Sequence, residues 1–227
     1  MINRLRNTST FFIPYLILFG IALIFFFYQS HGDFVLWLND LHNPIWNFFF
    51  KYWTHTGSVF FYAAVAIFFI VVRRRFGIML SIIGVTIAAI SFLFKQVLFN
   101  TSPRPRIYFE GQKLLDFVDG VNVLSFHSFP SGHSMAVFAM ASFLAFMFQN
   151  RQHSWLLLIG ASLTAVSRVY LSQHFLIDIM AGSLIGLIVS TSFYMAFEKY
   201  LNREKTGAFN TPDEDLEELD LENEDVN

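Results

Sequence analysis

Six apolar runs, at about residues 11–29, 57–72, 76–98, 133–149, 154–172 and 176–197, leave this chain one kind of solution. A run of roughly 20 apolar residues spans the hydrocarbon core of a bilayer, and a backbone in lipid must satisfy its own hydrogen bonds, which a helix does. The expected fold is therefore all-α, a polytopic six-transmembrane-helix bundle. Composition agrees: 55% of the 227 residues are hydrophobic, 14% are charged and 30 are Phe, more apolar than an ordinary soluble domain.

Charge sets the expected topology. Arg4 and Arg6 precede the first run, Arg73, Arg74 and Arg75 separate the second from the third, Arg151 separates the fourth from the fifth, and Lys199, Arg203 and Lys205 follow the sixth. Basic connections stay in the cytoplasm, so both termini are expected inside and the loop 99–132 outside, in a protein of the cytoplasmic (inner) membrane. The first run is long for a signal peptide and lacks a small-x-small cleavage site near Tyr28, so it reads as an uncleaved anchor. Nine of the 17 acidic residues lie between Asp213 and Asp225, leaving eight against 15 basic residues in the remainder, a net of +7. Residues 1–205 are expected to form the membrane domain and residues 206–227 an acidic, disordered cytoplasmic tail, because that stretch has little apolar surface to bury.

Segment 31–56 mixes Trp37, Trp46, Trp53 and Phe48–Phe50 with polar residues around Asn43-Pro44, the composition of an interfacial amphipathic element. Small residues four apart, Gly160/Thr164 and Gly182/Gly186/Ser190, predict close helix packing inside one bundle. The absence of cysteine excludes disulfides, thiolate metal sites and cysteine-based phosphatase chemistry.

Three clusters of polar residues interrupt the apolar pattern at its ends: Lys95 with Arg104-Pro105, the tetrad Pro130-Ser131-Gly132-His133, and Ser167-Arg168 with His174 and Asp178 behind it. Ionisable groups at membrane spans are costly and mark function. Thirty-three residues separate His133 from Ser167, enough for two spans of roughly 25 Å and a minimal turn. His133 and Arg168 must then emerge on the same face, where the charge argument also puts Lys95 and Arg104.

The chemistry of these residue types points to phosphate. His174 and Asp178, four apart, can share a helix face; such a pair alone is more often a packing contact, but beside Ser167-Arg168 it is a candidate dyad in which the carboxylate fixes the imidazole tautomer. The tetrad opens a long apolar helix, whose N-terminus can receive an oxyanion, with His133 placed to deliver a proton. Lys95, Arg104 and Arg168 supply a cationic shell for a transferring phosphoryl group. The bland alternative for Lys95 is snorkelling to the interface. Arg106 and Lys113 are read as loop residues outside the site.

In these residues the chain resembles the type 2 phosphatidic acid phosphatase superfamily of integral membrane lipid phosphatases, whose signature runs Lys-x6-Arg-Pro, Pro-Ser-Gly-His and Ser-Arg-x5-His-x3-Asp. The second and third motifs match with both spacings intact. The first departs: eight residues separate Lys95 from Arg104, and if the two extra residues were helical they would rotate Lys95 by about 200°, so they are expected to loop, within Asn100–Pro103. The resemblance implies that His174 attacks phosphorus to form a phosphohistidine, Asp178 orients it, and His133 protonates the leaving group. Lys95, Arg104, Ser131, Gly132 and Arg168 would hold the phosphoryl oxygens, with no metal and no cofactor.

The expected function is hydrolysis of the terminal phosphate of a lipid phosphate or diphosphate at the outer face. Undecaprenyl diphosphate, phosphatidylglycerol phosphate, phosphatidate and lipid A phosphates are the classes the resemblance implies. The expected partners are that substrate and membrane lipids, not nucleic acid. A lipid-to-lipid phosphotransferase and a non-catalytic lipid-phosphate transporter are the alternatives; the second would not need both His133 and the His174/Asp178 pair.

Overall fold

A computed structural model describes residues 2–112 and 115–207. The acidic stretch 208–227 and Lys113 lie outside the described residues. The chain divides into two units, Met1–Thr191 and Ser192–Asn227. In the second, residues 192–207 are helical; the first holds everything that follows.

Among the described residues the structure is all-helical. Its α-helices are α1 (Ile2–Tyr28), α2 (Asp33–Asn39), α3 (Pro44–Trp53), α4 (Val59–Val72), α5 (Arg74–Phe92), α6 (Pro105–Tyr108), α7 (Gly132–Phe148), α8 (Arg151–Tyr170) and α9 (Leu176–Gly207). A 3-10 turn, Thr54–Gly57, links α3 towards α4, and a π-helical turn, Leu93–Leu98, extends α5. The starts follow local chemistry. Asn43 caps α3 by accepting from Ile45 and Trp46 N–H at 3.1 Å each, with Pro44 in the first turn, Ser58 caps α4, and Asn150 caps α8. A short side-chain oxygen at each of these positions satisfies N–H groups that the helix leaves orphaned.

Helix α7 is the axis of the bundle, buried from Met135 through Ala145 apart from the half-covered Ala136. Helices α1, α4, α5 and α8 pack around it. The small residues of α9 meet it closely: a Cβ on Gly182 would lie 2.5 Å from the Ser131 carbonyl oxygen, and one on Gly186 would strike the Met135 carbonyl. The four-residue spacing thus serves packing within the bundle, as the sequence predicts. Across α1, α4 and α5 large apolar side chains stay exposed, Ile17, Ile24, Phe60, Val71 and Val85 among them, which a membrane solvates and water would not.

Three described helical segments are long and apolar enough to cross a membrane, Ser9–Tyr28, Arg74–Leu98 and Leu176–Glu198. A fourth arises if Pro44–Gly57 and Val59–Val72, bent by 53°, count as one span. The other two predicted runs differ for physical reasons. Helix α7 has 17 residues and is sheathed by protein, and α8 carries Arg151, His153 and Arg168 with several Ser and Thr. The chain is an integral membrane protein on these features. The arginines of the α4–α5 and α7–α8 connections stand at the helix ends opposite the polar clusters.

Candidate active site

The polar clusters meet at one end of the bundle. Helices α7 and α8 are antiparallel neighbours, so the start of the first lies beside the end of the second, and the α8–α9 turn brings His174 and Asp178 to the same place. Arg104, Arg168, His174 and Asp178 are 3%, 9%, 1% and 2% exposed. Groups of this kind are buried only when paired or functional.

His174 Nδ1 lies 3.4 Å from Asp178 Oδ2. The way this pair forms differs from the shared helix face predicted above. His174 precedes α9, and Asp178 sits in the first helical turn with its carboxylate reaching back to accept the Phe175 N–H at 2.8 Å. This is the reach of a capping-box acid, so the start of α9 itself presents the carboxylate to the imidazole. Ser128 completes the arrangement. Its hydroxyl donates to Asp178 Oδ2 at 2.5 Å and lies 3.5 Å from His174 Nδ1. Sequence reasoning missed Ser128; the available signal was a serine just ahead of Pro130-Ser131-Gly132-His133.

Ser131 caps α7, accepting from Ser134 N–H and Oγ, while its own N–H donates to the Asp178 carbonyl oxygen at 3.0 Å. Gly132 leaves room for Lys95, whose Nζ is 3.6 Å from the point a Gly132 Cβ would occupy. Lys95 therefore points at the α7 N-terminus despite the eight-residue spacing. The chain does leave the helix after Leu98, as expected. What the sequence did not announce is that Lys95 sits on a π-helical turn, where one residue is absorbed by wider winding, with its carbonyl bonded to His127 Nδ1 at 2.8 Å.

The two arginines are held differently. Arg104 donates through Nε to Phe126 O (2.8 Å), through Nη1 to Gln173 O (2.9 Å) and Gln173 Oε1 (3.0 Å), and through Nη2 to His127 O (3.2 Å). Four of the five N–H donors of a guanidinium are thus taken by protein oxygens. Arg168 donates through Nη1 to Thr54 Oγ1 at 2.8 Å, and its Nε is buried with no hydrogen-bond partner. A buried orphan donor on a cation is costly and is the kind of group a bound oxyanion satisfies. Gln173 and Thr54 were not singled out in the sequence. Arg106 bonds the Val123 carbonyl at 3.1 Å, a tie within the loop.

Electrostatics favour a neutral imidazole at His174. Burial first, and then the charges of Arg104, Arg168 and Lys95, hold His174 well below the usual imidazole range. Burial pulls Arg104 down to about 10, opposed by the Asp178 charge, which leaves it cationic at neutral pH. A cavity of about 540 Å3 runs from Gly132 and His133 down between α4 and α5, past Ala63, Ala66, Gly84 and Ala88.

Residues 76–201 match the PAP2 superfamily, more than half of the 227-residue chain. The chain belongs to the PAP2 superfamily. It is similar to the lipid A 4'-phosphatase of Bacteroides thetaiotaomicron, with 26% identity over 180 residues, 74% of this chain and 77% of that protein. The undecaprenyl-diphosphatase BcrC of Bacillus subtilis is 26% identical over 121 residues, 53% of this chain and 58% of that protein. The crystal structure of Aquifex aeolicus LpxE shares the fold, with a TM-score of 0.65 at 22% identity over 74% of this chain and 96% of that one. With its phosphatase relatives, this PAP2 protein is a phosphoric ester hydrolase. Every motif residue described above lies inside the matched segment; Thr54 lies ahead of it.

Proposed function

We propose that this PAP2 protein removes the terminal phosphate from a lipid phosphate or diphosphate through a phosphohistidine, with the site on the outer face of the cytoplasmic membrane and both termini inside. In this reading α1, α4, α5, α7, α8 and α9 are the six spans, residues 1–205 the membrane domain, and residues 206–227 a cytoplasmic tail. The substrates of its relatives, lipid A 4'-phosphate and undecaprenyl diphosphate, are the first classes to try.

His174 Nε2 attacks phosphorus while Asp178 and Ser128 hold the Nδ1 side. The bond from phosphorus to the leaving oxygen breaks, and His133 gives that oxygen its proton. Water deprotonated by His133 then attacks the phosphohistidine, the P–N bond breaks, and inorganic phosphate leaves. Lys95, Arg104, Arg168, Ser131 and Gly132 stabilise the phosphoryl oxygens, whose charge spreads as the bond to the leaving group stretches. The residues need no metal for this sequence of bonds.

One observation carries the lipid reading: the apolar cavity between α4 and α5 ends on Gly132 and His133. From Val59 to Ile67 along α4 it extends about 12 Å, room for part of a hydrocarbon chain whose headgroup then meets the cationic end. The test is phosphate release by purified protein in detergent with chelator present, on lipid mono- and diphosphates, beside His174→Ala. Release by the wild type alone is expected. Equal release by His174→Ala overturns the mechanism, and lipid binding without turnover by either protein points to transport.

A further inference from the structure

We propose that the Thr54–Gly57 turn is a further component of this active site, and that Thr54 is the positioning residue that aims Arg168 at the phosphoryl group. The inference rests on the phosphate reading of Arg168 given above. It goes beyond that reading because the turn precedes the segment shared with the family, residues 76–201, and comes from the aromatic stretch whose composition speaks only of a membrane interface.

Thr54 is 6% exposed, and its Oγ1 accepts from Arg168 Nη1 at 2.8 Å across 114 residues of sequence. Tethering Nη1 leaves the opposite Nε–Nη2 edge of the guanidinium, the edge able to make two parallel bonds to phosphate oxygens. The Nε on that edge is buried and without a partner. An arginine already held at one end also has less rotamer freedom to lose when the anion arrives.

The turn is itself fixed on the far side. Thr56 Oγ1 donates to the Trp53 carbonyl at 2.8 Å and meets Thr164 Oγ1 at 2.7 Å, while Trp53 Nε1 donates to the Gly160 carbonyl at 3.3 Å. These contacts tie it to α8 one and two turns below Arg168. Gly57 then passes so near both α8 and the start of α7 that a Cβ would lie 2.8 Å from Thr164 Cγ2 on the first and 3.0 Å from both His133 Cβ and His133 O on the second. Four consecutive residues therefore touch the arginine and the proposed proton donor at once. Their geometry registers α8 against α7 where the phosphoryl group must fit.

The experiment compares Thr54→Val, Thr54→Ser and Arg168→Ala in the full-length protein, measuring turnover of a lipid phosphate and inhibition by orthovanadate, a tetrahedral phosphate analogue that takes a fifth ligand from a nucleophile and so mimics in-line transfer. Valine keeps the shape and removes the acceptor. Thr54→Val is expected to lower kcat and weaken orthovanadate inhibition together, by about 10- to 100-fold, the worth of a hydrogen bond to a charged group, with KM for the lipid little changed. Thr54→Ser restores both. If Thr54→Val matches the wild type while Arg168→Ala is inactive, the role of Thr54 is overturned and the phosphate reading stands. If Thr54→Ser fails as badly as Thr54→Val, the turn acts by packing and the inference is wrong. If Arg168→Ala turns over normally, the phosphate reading falls and takes this inference with it.

Discussion

Arg104 and Arg168 are both buried, yet one is embedded in its own protein and the other is only tethered. Arg104 is wrapped by the carbonyls of Phe126, His127 and Gln173 and by the Gln173 side chain, which makes it the peg that pins the segment ahead of α7 to the α8–α9 turn. Arg168 has a hydroxyl at one end and an unpartnered Nε. Charge and donor capacity are thus separate contributions. In the proposed reaction Arg104 would lend the site mainly positive potential and rigidity, and Arg168 the hydrogen bonds that form only when an anion is present.

The largest effect is expected at Arg168. Replacing it with alanine should reduce kcat/KM by about 10³-fold, the order seen when a transition-state cation is removed, while thermal inactivation in detergent shifts little. A large loss of stability in that variant would mean Arg168 is structural after all. Arg104→Ala should do the reverse in stability. It strands four oxygens, the two of Gln173 in fully buried bonds, and costs about 3 kcal/mol or more, read as a lower temperature of half-inactivation; an unchanged temperature would count against the peg.

Smaller effects sharpen the picture. Ser128→Ala removes the 2.5 Å bond to Asp178 and should cut kcat about 10-fold at constant KM, unless Phe175 N–H alone suffices to hold the carboxylate. The pH profile is the finest probe. Because burial and neighbouring cations keep His174 well below its ordinary value, the acid limb of kcat/KM should lie below the usual imidazole range. Removing the Arg104 charge disfavours the protonated imidazole less, so its pKa rises and the acid limb moves to higher pH on the same substrate. A limb that stays put would detach Arg104 from the nucleophile.

Much of this site was legible in the chain because motifs and lengths speak to neighbours. The 33 residues between His133 and Ser167 place the ends of α7 and α8 together, and Gly182 and Gly186 announce the contact of α9 with α7. The resemblance supplied the roles now proposed for His174, His133 and Asp178. What stayed hidden was made by contacts without a period. Thr54 finds Arg168 across 114 residues, and no pattern in an aromatic stretch marks one threonine among its polar residues. The cage around Arg104 stayed hidden because three of its four acceptors are backbone carbonyls, which any sequence shares. The loop expected after the Lys95 helix follows Leu98, but the π-turn that carries Lys95 itself has no sequence mark. The span pattern blurred where protein replaces lipid, since α7 is buried from Met135 through Ala145 but for Ala136 and α8 carries polar residues such as Arg168.

The proposed mechanism requires His174 to carry the phosphoryl group. Rapid quenching of the full-length protein during turnover of a lipid phosphate labelled with 32P tests it directly. An acid-labile, base-stable label is expected on the wild-type protein, mapped to the peptide holding His174 and missing from His174→Ala. A wild type that turns over without ever taking up label, or a His174→Ala protein that is labelled as well, would contradict it.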